Sequence, residues 1–341
     1  MGLEGVEKET TTITHSTQAT SSMKKFLCLF ASLFSSALHC FCASGPNPNH
    51  IPEDANWVAH LDFQSILNSK IGSALMAEAQ KDPEFTQKLN GIKAVFGLDL
   101  EKLGTATAYG TGKKDEGVVI AKGGINSAQI EGFAGLNENV TIQKKGKKSL
   151  YSFKKGAFCS LGPDSIIAST NKKLLVPGLD AISGKNPGQK NNQMISHLCA
   201  KMENPMALMT VRLPEVLAII REGKPISAPE AAIMKKADLL GFALTEDGST
   251  MCMFMAVQAE NEKTAEHLEN VLRGGSSLLA LSAGIDIDPN LNEILPLVKT
   301  AVSREKRIVG VQLEVDSAFL LKKIREEMAK KEGSQLKIVT D

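Results

Sequence analysis

The sequence has no excess of either charge. Its 39 Lys and Arg face 38 Asp and Glu, a formal balance of +1. That excludes binding to nucleic acid through broad neutralisation of phosphates. Cysteine is scarce, with six in 341 residues, so a disulfide-built scaffold is excluded. The familiar catalytic signatures are missing too. There is no G-x-S-x-G, H-E-x-x-H, C-x-x-C, Walker A or G-x-G-x-x-G segment. S-x-x-K occurs at Ser152, Ser169 and Ser303, but without the companion motifs of a penicillin-binding fold. Beyond residue 44 no apolar run is long enough to span a bilayer. What is present is a 43% apolar, 23% charged composition, too apolar and too neutral for a disordered chain. The length suits two domains.

The strongest functional signal lies near the front. Met23-Lys24-Lys25 precedes an apolar run from Phe26 to Phe34, broken by Ser32, and softer residues lead to Cys42, Ala43 and Ser44. A charged start, an apolar centre and a small-residue exit are the parts of a secretory signal peptide. Cleavage near residues 42–44 is expected, giving a periplasmic or secreted protein; cleavage after Ser44 places Ser44 and Cys42 at the two recognition positions. Residues 1–22 read as a disordered leader or a misplaced gene start ahead of a true start at Met23. Removing residues 1–44 takes away three lysines and three glutamates, so the balance stays +1. Cys159, Cys199 and Cys252 remain. An odd number leaves at least one free thiol in a monomer, and all three read as small buried apolar residues.

The rest divides into two α+β halves. Residues 45–183 form the first domain, 184–205 a Gly/Asn/Lys-rich linker, 206–330 the second domain and 331–341 a polar tail. In the first half, alternation at Trp57–Phe63 predicts a strand. Helices are expected over Ser65–Gln80 and from Pro83 to about Phe96. A hairpin at Thr105–Ala121, a helix at Ser127–Phe133, a meander from Val140 to Ser169 and a helix over Lys172–Ile182 follow. The second half repeats this order: a strand at Met206–Leu213, helices at Pro214 and Pro229–Lys236, a hairpin at Asp238–Gln258, and a long helix capped by Asn261. Gly274-Gly275 is expected to break that helix. Asn290–Val302 reads as helix, Val309–Val315 as strand, and Asp316 caps a final helix. This shared order predicts a duplicated ferredoxin-like β-α-β-β-α-β unit, each copy an antiparallel sheet with helices on one face.

The stretches "DANWVAHLDFQSILNSKIG", "FGLDLEKLGTATAYG", "LYSFKKGAFCSLGPDSIIAST" and "VSREKRIVGVQLEVD" resemble a group of uncharacterised secreted bacterial proteins with this layout. The resemblance covers most of the chain after the signal. It implies an exported α+β protein and brings no activity, cofactor or catalytic residue with it.

Four constellations are candidates for chemistry. His60 and Asp62 share a strand face, where a carboxylate can orient an imidazole for acid–base work; the competing reading is a solvated or interdomain face. Lys144, Lys145, Lys147, Lys148, Lys154 and Lys155 crowd one short segment. They form a candidate anion-binding patch for lipid headgroups or acidic polysaccharide, or simply a solvated hairpin with protected edges. Aromatic residues interleave there only as Tyr151 and Phe153. Met251, Met253 and Met255 suit Cu(I), but with Cys252, Phe254 and Ala256 opposite them the strand reads as core. Asp286, Asp288, Asn290 and Asn292 imitate a calcium loop whose required Gly is Leu291, and read better as a capping turn. His197 and Cys199, two apart in a helix, do not face each other. No metal and no cofactor are expected. The leading expectation is an exported, non-catalytic binding or envelope-associated module. A membrane contact would run only through an uncleaved signal or the lysine patch. The alternatives are an extracytoplasmic hydrolase near His60 and Asp62, or a carrier of an apolar ligand. These separate by what a structure holds: a cleft of converging polar groups, an apolar cavity, or an exposed patchy sheet face.

Overall fold

The computed structural model describes residues 45–113, 116–185, 192–213, 236–282 and 297–338. Its strands are β1 (Trp57–Asp62), β2 (Thr105–Gly110), β3 (Val118–Lys122), β4 (Thr141–Lys145), β5 (Lys148–Phe153), β6 (Gly156–Gly162) and β7 (Ser165–Ser169) in the first half. In the second half they are β8 (Ala207–Arg212), β9 (Ala237–Asp247), β10 (Thr250–Ala259), β11 (Lys299–Glu305) and β12 (Ile308–Asp316). Alternation of apolar residues marks most of them as strands, whereas β4 and β11 are held by pairing with β5 and β12. All twelve join one sheet in the order β11-β12-β10-β9-β8-β1-β2-β3-β7-β6-β5-β4.

The halves therefore meet inside a single sheet. β1 pairs antiparallel with β8 in the register Ala59–Met209 and His60–Leu208. Outward from β1 come β2, β3, β7 and β6; outward from β8 come β9, β10, β12 and β11. The ferredoxin-like arrangement is not what results. A split β-α-β unit inserts a strand between the two that a helix joins. Here β1 and β2 are direct antiparallel neighbours, although three helices connect them. Those helices, α1 (Phe63–Asn68), α2 (Lys70–Ala79) and α3 (Pro83–Phe96), are an excursion at one end of the sheet, closed where Phe63 N–H donates to the Gly104 carbonyl at 2.8 Å.

The helices also do not keep to one face. On one face lie α5 (Lys172–Ile182) and α6 (Asn192–Lys201). They bury Val58, Val118, Ile120, Ile167, Leu208, Leu239, Ala243, Phe254 and Ala256 against Leu175, Leu179, Met194, Ile195 and Leu198. The approach is close: a Cβ at Gly241 would sit 2.7 Å from Met194 Sδ, and one at Gly178 would sit 2.6 Å from the Tyr109 hydroxyl. On the opposite face, α4 (Ser127–Gly135) contacts β6, and α7 (Glu262–Ser282) lies over β10, β11 and β12. A last helix, α8 (Ser317–Ile338), packs on β12 and α2.

Several local expectations change. Residues 192–201 of the expected linker form α6, whose Met194, Ile195 and Leu198 are fully buried; burial of that apolar face outweighs the Asn/Gln-rich composition. α7 continues through Gly274-Gly275. Lys299–Val302, expected as the end of a helix, instead open the edge strand β11 (Lys299–Glu305). A tight turn with Lys306 at φ 51° returns it onto β12. The tail is helical to Ile338. The helices expected at Pro214 and Pro229–Lys236, and the Asp286–Asn292 turn, lie outside the described residues. The caps hold: Thr264 N–H donates to Asn261 Oδ1 at 2.9 Å and Phe319 N–H to Asp316 Oδ1 at 2.8 Å.

Candidate functional site

His60 and Asp62 do share a face of β1, and it is the covered one. They are 2% and 4% exposed. His60 Nδ1 lies 2.8 Å from Thr107 Oγ1 on the neighbouring strand. Asp62 is the N-cap of α1, accepting from Ser65 N–H at 2.9 Å. Burial raises the Asp62 carboxyl above the ordinary aspartate range, against the opposing pull of the Ser65 and Gln64 hydrogen bonds. Both side chains are engaged in holding strand to strand and strand to helix.

The polar cleft beside α3 is small. It is lined by Gln80, Thr86, Asn90, Lys93, Asp99 and Glu101 and has a volume of about 210 Å³, below the ~300 Å³ at which ligand sites begin. Its groups serve one another: Lys93 and Lys102 reach Asp99 Oδ2 at 2.8 and 3.8 Å, and Gln80 Nε2 donates to Glu101 Oε1 at 3.1 Å. Among the described residues no three His, Cys, Asp or Glu side chains form a metal-holding group. Cys159, Cys199 and Cys252 are free thiols. Burial raises the pKa of each, which disfavours the thiolate.

The lysine run divides in space. Lys144, Lys145, Lys147 and Lys148 surround the β4–β5 turn, while Lys154 and Lys155 form the β5–β6 turn. β5 has six residues, so the groups are separated by about 20 Å. Lys145 is spent on Asp180 of α5, with Nζ–Oδ distances of 3.0 and 3.2 Å.

The most distinctive surface is one that the sequence left as core. Following the strand register across the sheet gives the row Ile142, Tyr151, Phe158, Ala168, Val119, Ala108, Ala59, Met209, Phe242, Met255, Val311, Val302. It takes one residue from every strand and contains no charge. The adjoining positions on that face include Leu61, Ala106, Ala121, Ile166, Ala207, Leu244, Met253 and Leu313. At one end α4 packs on β6, and Tyr151 and Phe158 are buried there, 8% and 7% exposed, stacked with centroids 4.8 Å apart. At the other end α7 covers it, burying Ala265 and Leu268 against Val309. Glu269 clamps α7 to β11. It accepts from Arg304 Nε at 2.7 Å and Arg273 Nη2 at 2.8 Å, and these two bonds pull its pKa down.

Between those helices the described residues leave this face partly exposed. Val119, Met209, Leu240 and Met255 are 40–43% exposed. The trough spans β7 to β10, about 30 Å at the ~4.8 Å strand spacing. Its floor is small on the first-half side (Ala59, Ala106, Ala108, Ala121, Ala168) and bulky on the second (Met209, Leu240, Phe242, Met255). Met251, Met253 and Met255 belong to it, with only Cys252, Phe254 and Ala256 facing the covered core. The signal in the sequence was apolar character on both faces of β8, β9 and β10, which burial of both faces explains equally well.

No helix among the described residues is long and apolar enough to cross a membrane. No family model matches the chain and no curated protein is similar to it, which is consistent with its resemblance to uncharacterised bacterial proteins. Among solved structures, crystal form IV of TP0453 aligns at 8% identity and a TM-score of 0.48, covering 83% of this chain and 97% of that one. Crystal form III aligns at 8% identity and a TM-score of 0.46, covering 82% and 98% respectively.

Proposed function

We propose that the protein is an exported, non-catalytic binding module, released by cleavage near residues 42–44, that receives the apolar surface of a partner in the trough between α4 and α7. The observation that carries this is the uncharged row of one residue from each of the twelve strands, with its Val119, Met209 and Met255 and the adjoining Leu240 exposed. A soluble chain keeps a contiguous apolar face partly in water when something docks there. Burial of His60 and Asp62 favours binding over hydrolysis. The open, walled trough favours a docking surface over an enclosed ligand cavity. Both halves run from a strand through an antiparallel pair, a helix and further antiparallel strands to a last helix, with three extra helices and two extra strands in the first half among the described residues, an order that supports descent of the halves from one duplicated unit.

Bis-ANS fluorescence and a photo-crosslinker placed at Met209 test the reading. The unaltered chain is expected to enhance the dye, and the Met209→Asp/Met255→Asp pair to lose most of that signal at unchanged stability. In the native host, position 209 should crosslink one partner that a crosslinker at exposed Glu84 does not capture. A dye-silent, crosslink-silent trough means the face is covered in solution, and the proposal fails.

A further inference from the structure

The methionines of this chain are sorted by face. Met76, Met194, Met202 and Met206 are buried. Met76 packs with Leu67 and Phe85 inside the helical excursion, and Met194 and Met202 belong to the core of the covered face. Met209, Met251, Met253 and Met255 all lie on the trough face. Met209 and Met255 are exposed there, and Met251 and Met253 are half-buried. The register brings the two exposed ones together: Met209 of β8 and Met255 of β10 are the partners of Phe242 on β9, one on either side. Two strand spacings separate them, about 10 Å. Met328 is half-buried on α8, outside the row. The thiols are placed otherwise. Cys159 and Cys252 are buried, and Cys199 is half-buried beside Gly45, where a Cβ would lie 2.9 Å from its Sγ. Among the described residues, the sulfurs most open to a dissolved oxidant are therefore the thioethers of the trough.

We propose that Met209 and Met255 form a reversible oxidation site that governs docking in the trough. This rests on the trough as the binding surface and adds its regulation. The oxidant is a peroxide. A sulfur lone pair attacks one peroxide oxygen, the O–O bond breaks, and the departing hydroxide takes the proton of the new S–OH to leave as water. Each sulfur loses two electrons and becomes a sulfoxide; each hydrogen peroxide gains two. A flexible apolar side chain becomes a polar one. The cross-strand neighbours offer the new oxygen no side-chain donor: they are Ala59 and Phe242 beside Met209, and Phe242 and Val311 beside Met255. A docked apolar partner would bury that oxygen without a hydrogen bond, which costs binding energy. A thiol-dependent methionine sulfoxide reductase reverses the change, releasing the oxygen as water and leaving a disulfide in the reductant. Leucine would give an equally apolar floor; methionine gives one whose polarity can be switched.

The test is a hydrogen peroxide titration of the purified chain, read by peptide mass mapping and by bis-ANS affinity. Sulfoxide is expected at Met209 and Met255 well before Met194 and Met202. The dye affinity should fall about tenfold, the effect of an unpaired polar group in an apolar contact. It should return after treatment with a methionine sulfoxide reductase and dithiothreitol. Circular dichroism confirms that the chain stays folded at each step. Met209→Leu/Met255→Leu removes both thioethers, and peroxide should not lower its dye affinity below its own untreated value. Met328→Leu should respond to peroxide as the unaltered chain does. Three results overturn the inference: oxidation of Met209 and Met255 no faster than of Met194 and Met202, full oxidation of the pair without loss of dye affinity, or an equal loss in Met209→Leu/Met255→Leu. An untreated chain that does not bind the dye overturns the trough reading itself. A chain that binds the dye and ignores peroxide overturns the oxidation site alone.

Discussion

The two faces of the sheet are built from similar residues and behave differently. On the covered face, Phe254 is 1% exposed, and Ala243 and Ala256 are fully buried beneath α6. On the other face, Met255, the next residue of the same strand, is 41% exposed. Both faces are apolar, so hydropathy alone does not separate stabilising surface from interacting surface. The difference is that one face receives α5 and α6 over its middle strands, whereas the other receives α4 and α7 towards its ends among the described residues.

The comparison predicts a steep asymmetry in stability. Phe254→Ala should cost about 3–5 kcal/mol, the usual range for a large-to-small change at a buried aromatic. Urea denaturation at constant m-value reads this directly. Gly310→Ala comes next. A Cβ there would lie 2.2 Å from Phe254 Cζ, and the ring, enclosed on the covered face, has nowhere to retreat. Overpacking of this kind costs about 1–3 kcal/mol. Met255→Ala, one residue from Phe254 but on the open face, should change stability by no more than about 0.5 kcal/mol. A loss at Met255 as large as that at Phe254 would mean that both faces are core, and the trough would cease to be a binding surface.

Two titrations sharpen the same contrast, with smaller effects. His197 of α6 lies on the covered side, 5.8 Å from Phe254 by ring centroid. Burial lowers its pKa; Glu305, 3.5 Å away, opposes this, and Lys201 adds to it. A depressed histidine pKa means that the unfolded chain binds the proton more tightly. This contribution to stability is complete above the ordinary histidine value of 6.5 and is lost as pH falls through the lower folded pKa. His197→Gln should flatten that slope, as followed by the urea midpoint. Asp62 runs the other way. Its raised pKa makes the folded chain bind the proton more tightly, so its contribution is present below the ordinary aspartate value and is lost as pH rises through the folded pKa. Asp62→Asn keeps the capping oxygen and should remove this decline. An unchanged pH profile in Asp62→Asn would show that the cap hydrogen bonds cancel the burial.

Much of the architecture was legible residue by residue. α5 begins and ends at Lys172 and Ile182, where its apolar periodicity placed it. β1 occupies the Trp57–Asp62 alternation, and Asn261 and Asp316 cap the helices they precede. These are decisions made within a few residues by side-chain spacing and by orphan N–H groups. α6 was hidden because its polar residues suggested a linker, and its burial depends on the distant β9 and β10. β11 was hidden because Lys299–Glu305 has weak strand character and gains its identity only from pairing with β12.

The candidate site was less legible than the fold. The lysines were adjacent in sequence, but a strand carries its two ends apart, and the turn at each end is a separate surface. His60 and Asp62 were placed correctly on one face, yet which face would be covered depended on where α5 and α6 settled. By itself the sequence determined much of the alternation of strands and helices, the caps at Asn261 and Asp316 and the lack of any familiar catalytic motif, because these rest on local periodicity and composition. Only the tertiary structure decided that two halves share one sheet, that Phe254 is core while Met255 is surface, and that a charge-free row lies open between α4 and α7. Those outcomes follow from pairing and packing between residues far apart in the chain, and local sequence carries no register for such contacts.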